Sequence, residues 1–137
     1  MILEKTDNYS HPDDIKRHIF ILDDDPHIVE LTRTFLYYKG FQVTTAFTAQ
    51  EGFDLIRKER PDLILLDIML PDMNGLVILK KIKEDQRIAN IQILILTNLG
   101  QDNIIEEGFK LGAVGYIIKA AYTPDEIVQK VKNILKD

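Results

Sequence analysis

The sequence predicts a doubly wound α/β domain, in which a parallel five-stranded sheet is covered by helices on both faces. Three observations predict it. Short, continuously apolar runs at 19–22, 63–66 and 93–96 have the length of strands buried on both faces. Between them lie stretches whose apolar residues recur at helical spacing. No repeat, low-complexity tract or linker interrupts the alternation, and strand–helix alternation builds a parallel sheet.

The elements follow in order. Residues 1–17 read as a mixed-charge N-terminal extension, with Glu4, Asp7, Asp13 and Asp14 against Lys5, Lys16 and Arg17. The domain proper is expected over 18–137. After the first strand, Asp25-Pro26 opens a helix, Asp as N-cap and Pro in the first turn. Ile28, Leu31, Phe35 and Leu36 supply its apolar face, and Gly40 ends it. Residues 41–47 form a second, more polar strand, which belongs at the sheet edge. Thr48 and Glu51 predict a capping box for a helix reaching about Lys58. The third strand is 63–66, and 71–75 is a turn. The next helix turns Leu79 and Ile82 inward. The fourth strand is followed by a helix of about ten residues that carries Gly108 and ends near Gly112, the least stable of the set. Residues 114–118 are the fifth strand. Thr123 and Glu126 cap the last helix, whose Ile127, Val131 and Ile134 face inward.

Composition bounds the function. The 137 residues suit one domain, and this length leaves no room for an attached output module. The absence of cysteine excludes disulfides, thiol nucleophiles and cysteine metal sites. No apolar run approaches the roughly 18 residues of a membrane helix, so a cytoplasmic protein without membrane contact is expected. A net charge of −5 and a pI near 5.2 argue against direct contact with nucleic acid.

Doubly wound sheets bind ligands at the carboxyl ends of their strands. There the sequence places Asp23, Asp24 and Asp25 after the first strand and Asp67 after the third. Thr97 follows the fourth strand and Lys119 the fifth. Asp25 is explained by its helix cap. The other acids are not: two carboxylates about 4 Å apart repel by roughly 4 kcal/mol at an effective dielectric near 20. Either some protonate or a divalent cation sits among them, and an all-oxygen set suits Mg²⁺. A carboxylate can attack a phosphoryl group, and phosphoryl transfer otherwise needs positioning and neutralised oxygen charge. Three acids, a Thr and a Lys supply those parts.

With these residues in view, the chain resembles the receiver domain of two-component response regulators, of the stand-alone CheY-like kind. The matching segments are IFILDDDP at 19–26, LILLDIMLPDMNG at 63–75, ILILT at 93–97 and GAVGYIIK at 112–119. The resemblance implies a flavodoxin-like strand order 2-1-3-4-5. It implies a protein that is no enzyme beyond its own phosphorylation and dephosphorylation. Asp67 would accept a phosphoryl group from a sensor histidine kinase or a phosphotransfer protein. Asp23 and Asp24 would hold Mg²⁺ with Asp67 and the backbone carbonyl of Met69, while Thr97 and Lys119 contact the phosphoryl oxygens. Thr97 and Tyr116 would switch the surface of the fourth helix, fifth strand and fifth helix. That surface would control a downstream protein or pair two copies into a homodimer.

Two departures stand out. Ala120 follows Lys119 where the family usually has Pro, often with a cis bond. A cis bond before a residue other than Pro costs about 3–4 kcal/mol, so a trans bond and an altered loop path are expected. Asn98 occupies a usually small position, where it would either crowd the phosphoryl site or donate to it. Rival functions fit less well. A haloacid-dehalogenase-type hydrolase needs an acid at 69, which is Met. A flavin-binding domain needs phosphate donors where Asp23, Asp24 and Asp25 stand. A degenerate receiver acting as a phosphorylation-independent binding module is the alternative. His11, His18 and His27 lie away from Lys119 in sequence and are expected to be solvated or packed.

Overall fold

The computed structural model describes residues 16–98 and 102–136. The extension expected over 1–17 therefore falls almost wholly outside the described residues, His11 with it. Strand and helix alternate as expected: β1 (His18–Leu22), α1 (Pro26–Tyr38), β2 (Gln42–Ala46), α2 (Ala49–Glu59), β3 (Leu63–Leu66), α3 (Gly75–Glu84), β4 (Gln92–Thr97), α4 (Asp102–Lys110), β5 (Gly115–Ile118) and α5 (Pro124–Leu135). A 3-10 turn, Lys119–Ala121, joins β5 to α5. The sheet runs β2-β1-β3-β4-β5 with every pair parallel. Strand order thus reverses between β1 and β3, which opens a crevice above their carboxyl ends.

Alternate strand residues feed two apolar layers. Phe20, Leu22, Ile64, Leu66, Ile93 and Ile95 pack against Ala49 and Ile56 of α2 and Ile78, Leu79 and Ile82 of α3. Ile19, Ile21, Leu63, Leu65, Leu94, Leu96 and Ile117 meet Val29 and Leu36 of α1 and Ile127, Val128, Val131 and Leu135 of α5. The period-2 geometry of a strand makes each apolar run serve both layers.

The caps follow the local chemistry. Asp25 accepts hydrogen bonds from the amides of His27 and Ile28, with Pro26 behind it. Gly40, at φ 95°, follows α1 as expected. Thr123 and Glu126 form the full reciprocal box on α5. At α2 only half of the expected box forms. Thr48 Oγ1 accepts from Glu51 N–H, but the Glu51 carboxylate reaches the amide of Phe47.

Two helix faces differ from expectation. In α1 the buried residues are Val29, Thr32 and Leu36, while Leu31 is 49% and Phe35 36% exposed. Two overlapping apolar stripes exist on this helix, and the sheet takes the one that includes Thr32. In α5, Leu135 is buried and Ile134 only half-buried. Gly108 is the one residue of α4 that is buried, so this helix has the shallowest hold on the sheet.

Candidate functional site

The ladder between β1 and β3 delivers two acids side by side. Leu22 pairs with Leu66, and just beyond them the Asp67 amide donates to the Leu22 carbonyl at 2.9 Å. On the other side, the Asp23 amide donates to Ala46 O at 3.1 Å. Asp23 is fully buried and Asp67 nearly so, whereas Asp24 is exposed at the rim. Carboxylate oxygens of Asp23, Asp24 and Asp67 lie within 4.8 Å of one another.

Lys119 reaches this cluster from the 3-10 turn. Its Nζ donates to Asp67 Oδ2 at 3.1 Å and lies 2.7 Å from Asp23 Oδ2. The second contact is a close ion pair, and apart from it the buried Asp23 Oδ2 has no partner among the described residues. The other Asp23 oxygen accepts from the amide of Asp25 at 3.0 Å. Burial pushes the Asp23 carboxyl up to about 6 against the pull of Lys119, and the Asp67 charge adds to the rise. Burial also works against the Lys119 charge, but Asp23 and Asp67 outweigh it and hold the ammonium above its ordinary range. One cation thus faces three acids, an arrangement with anionic charge to spare for a hard divalent ion.

The loop after β3 is shaped by short-range polar bonds. The Met69 amide donates to Asp67 Oδ1 at 3.3 Å, and Met69 bridges Asn74 across the turn. Asn74 Oδ1 then accepts from Leu76 N–H and caps α3. Gly75 passes against the Asp67 backbone, where a β-carbon would lie 2.2 Å from the Asp67 carbonyl oxygen. Asp72 reaches across to α2 and accepts from the amides of Ala49 at 2.8 Å and Gln50 at 3.1 Å. These two bonds hold its carboxyl below the ordinary aspartate range.

The structure therefore brings Asp23, Asp24, Asp67 and Lys119 together. Thr97 is the buried last residue of β4 rather than the first residue after it, paired in register with Ile118. Tyr116, half-buried on β5, stands edge-on to Phe109 of α4 with ring centroids 6.2 Å apart. The peptide bond from Lys119 to Ala120 is trans, as are all others among the described residues. Where crowding of the site or donation to it was expected of Asn98, its Oδ1 accepts from the Ala120 amide at 3.0 Å. His18 packs instead with Thr44, its Nε2 2.8 Å from Oγ1 and 3.4 Å from Glu59 Oε1, at the start of β1 and so at the far end of the strand from Asp23. His27 is exposed in the first turn of α1. Sequence reasoning missed Asp72 and the role of Gly75. The only local signal was the Pro71-Asp72 turn pair, which does not say that Asp72 will meet a helix 22 residues earlier.

Residues 19–132 match the response regulator receiver domain family. The DNA-binding dual master transcriptional regulator RpaA of Synechocystis is 36% identical over 118 residues, covering 86% of this chain and 48% of that protein. A CheY-like response regulator receiver domain protein from Methanospirillum hungatei superposes with a TM-score of 0.83 at 31% identity, over 89% of this chain and 95% of that one. The phosphorylated cyanobacterial phytochrome response regulator RcpA gives a TM-score of 0.76 at 29% identity, over 88% and 91% of the two chains. The chain spans about half the length of the curated relatives it matches. The expectation of no direct nucleic-acid partner is corrected by the Synechocystis relative, which is named as DNA-binding. The −5 charge is that of a chain matching 48% of that regulator and says nothing about the other half.

Proposed function

The chain belongs to the response regulator receiver domain family, and from that premise we propose that it is a phosphorylation switch whose phosphoacceptor is Asp67. The receiver occupies 18–137 and 1–17 is an extension. The observation that carries the proposal is a near-buried carboxylate, Asp67, hydrogen-bonded to a lysine within a cluster of two further carboxylates. An Asp67 oxygen attacks the phosphorus of a phosphohistidine on a sensor kinase or phosphotransfer protein. The O–P bond forms as the N–P bond breaks, and the imidazole leaves with the electron pair and takes up a proton from solvent. Lys119 offsets the charge gained on the phosphoryl oxygens, and the Thr97 hydroxyl donates to one of them.

The acids fit a hard divalent cation, because Asp23 Oδ2 is buried with no described partner apart from Lys119 and the cluster carries more negative charge than Lys119 balances. Asp23, Asp24, Asp67 and the Met69 carbonyl would hold Mg²⁺. When bound, that ion supplies neutralising charge to the transferring phosphoryl group. Movement of Thr97 and inward turning of Tyr116 then remodel the α4–β5–α5 surface for a downstream partner. By likeness to the Synechocystis regulator, the output is control of transcription through DNA.

The test is intact-mass measurement after incubation with acetyl phosphate and Mg²⁺. Wild type gains one phosphoryl group, and omission of Mg²⁺ or the Asp67→Asn substitution abolishes the gain. No adduct on wild type, or an equal adduct on the variant, overturns Asp67 as phosphoacceptor, and a partner that binds equally well with and without the phosphoryl mimic beryllofluoride favours a phosphorylation-independent binding module.

A further inference from the structure

The paired backbone of β4 and β5 ends at Thr97 opposite Ile118. One residue further along, Asn98 begins the connection to α4 and Lys119 begins the 3-10 turn. Backbone pairing stops there, yet a side chain carries it one rung on, because the Ala120 amide donates to Asn98 Oδ1 at 3.0 Å. This bond spans 22 positions and joins the neighbour of Thr97 to the neighbour of Lys119. Two particular residues make it: a proline at 120 has no N–H to donate, and an alanine at 98 has no acceptor.

We propose that Asn98 is a positioning residue for phosphoryl transfer, a latch that fixes the Lys119 turn against the end of β4 and so holds Nζ over Asp67. The assignment rests on the reading of Asp67 as phosphoacceptor. Beside the contacts of the Lys119 ammonium with Asp67 and Asp23, the turn is three residues long, with a bond of 3.3 Å from Tyr122 N–H to Lys119 O. The Lys119 side chain is only 8% exposed, so its stem cannot swing freely to correct a shifted backbone. A displacement of the turn therefore becomes a displacement of the ammonium, and misplacement by about 1 Å can cost a reaction about 100-fold. The latch itself is exposed to solvent, so its contribution lies in placement rather than in global stability.

The test uses Asn98→Ala and Asn98→Asp, the latter keeping the acceptor oxygen. In Asn98→Ala, exchange of the Ala120 amide with solvent quickens by about tenfold, while Asn98→Asp keeps it protected. The maximal rate of adduct formation from acetyl phosphate with Mg²⁺ falls by about fivefold or more in Asn98→Ala. The concentration of acetyl phosphate giving half that rate stays unchanged. Equal Ala120 exchange in wild type and Asn98→Ala overturns the latch. An unchanged maximal rate overturns its role and leaves the Asp67 reading intact. Faster exchange throughout the sheet, with a large fall in melting temperature, shows a merely structural residue and overturns the proposal too. A wild type that takes no phosphoryl group removes the Asp67 reading and the positioning role together, while the exchange arm still reports the bond by itself.

Discussion

A side chain at position 75 would collide with the backbone of the proposed phosphoacceptor, because its β-carbon would lie 2.2 Å from Asp67 O and 2.7 Å from Ile68 Cα. Backbone cannot step aside as a flexible side chain can. Gly75→Ala is therefore expected to lower unfolding free energy by about 2–3 kcal/mol in urea titration and to suppress the phosphoryl adduct along with it. Asp72 acts nearby through charge. Its carboxylate accepts from the amides of Ala49 and Gln50 at the positive end of α2, so its pKa is lowered. A lowered carboxyl contributes stability above its unfolded pKa and loses it as pH falls through the folded one. The melting temperature of Asp72→Asn should thus lie below wild type at pH 7, and the gap should close as pH falls below about 4. A gap that persists in acid would show that the carboxylate charge is not what matters. Asp23, Asp24, Asp67, Thr97 and Lys119 were legible in the sequence because each is polar and sits at the end of an apolar run. Gly75 and Asp72 were not, and Asn98 stood out without its partner, since these residues meet their partners only once separate loops are assembled on the sheet.

Among the elements, α4 and α1 show where apolar periodicity informs and where it misleads. The short α4 was legible as the weakest helix, with Gly108 as a weakening residue. Its position on the sheet was not, and it gives Gly108 a second role. A β-carbon there would lie 2.4 Å from Ile95 Cδ1, so the glycine is what lets α4 approach β4. Gly108→Ala raises intrinsic helix propensity by about 1 kcal/mol yet should lift α4 away from Ile95. Expected are faster amide exchange across residues 102–110 and no gain in overall stability. A stabilised protein with slower exchange there would refute the close-packing role. For α1 the two apolar stripes overlap, and only the assembled sheet chooses between them. Leu36 is fully buried and Leu31 half exposed, so Leu36→Ala should cost about 2–5 kcal/mol in unfolding free energy. Leu31→Ala should stay within about 0.5 kcal/mol of wild type.

On the scale of the whole molecule, part of the −5 charge is concentrated in one crevice. Asp23, Asp24 and Asp67 give −3 and Lys119 returns +1, for a local −2. A ligand that binds only the folded state stabilises it, by about 2.7 kcal/mol at 100 times its Kd. Mg²⁺ should therefore raise the melting temperature, chelation with EDTA should reverse the rise, and Asp24→Asn should blunt it. An unchanged melting temperature at saturating Mg²⁺ would count against the acids as a metal site. The parallel sheet and the gathering of the acids could be expected from alternation and from polar residues behind apolar runs, while the strand order came from the family resemblance. The partner class could not, because net charge over this stretch describes only this stretch. The crevice also has walls of unequal stiffness. On the α2 side, Asp72 splices the loop after Asp67 onto the first turn of a helix, so that wall is tied to the loop behind the proposed phosphoacceptor. On the opposite side, α4 buries a single glycine. If Asp67 is the phosphoacceptor, displacement there is expected to be taken up on the α4 side, where little is packed against the sheet, and not on the side pinned by Asp72.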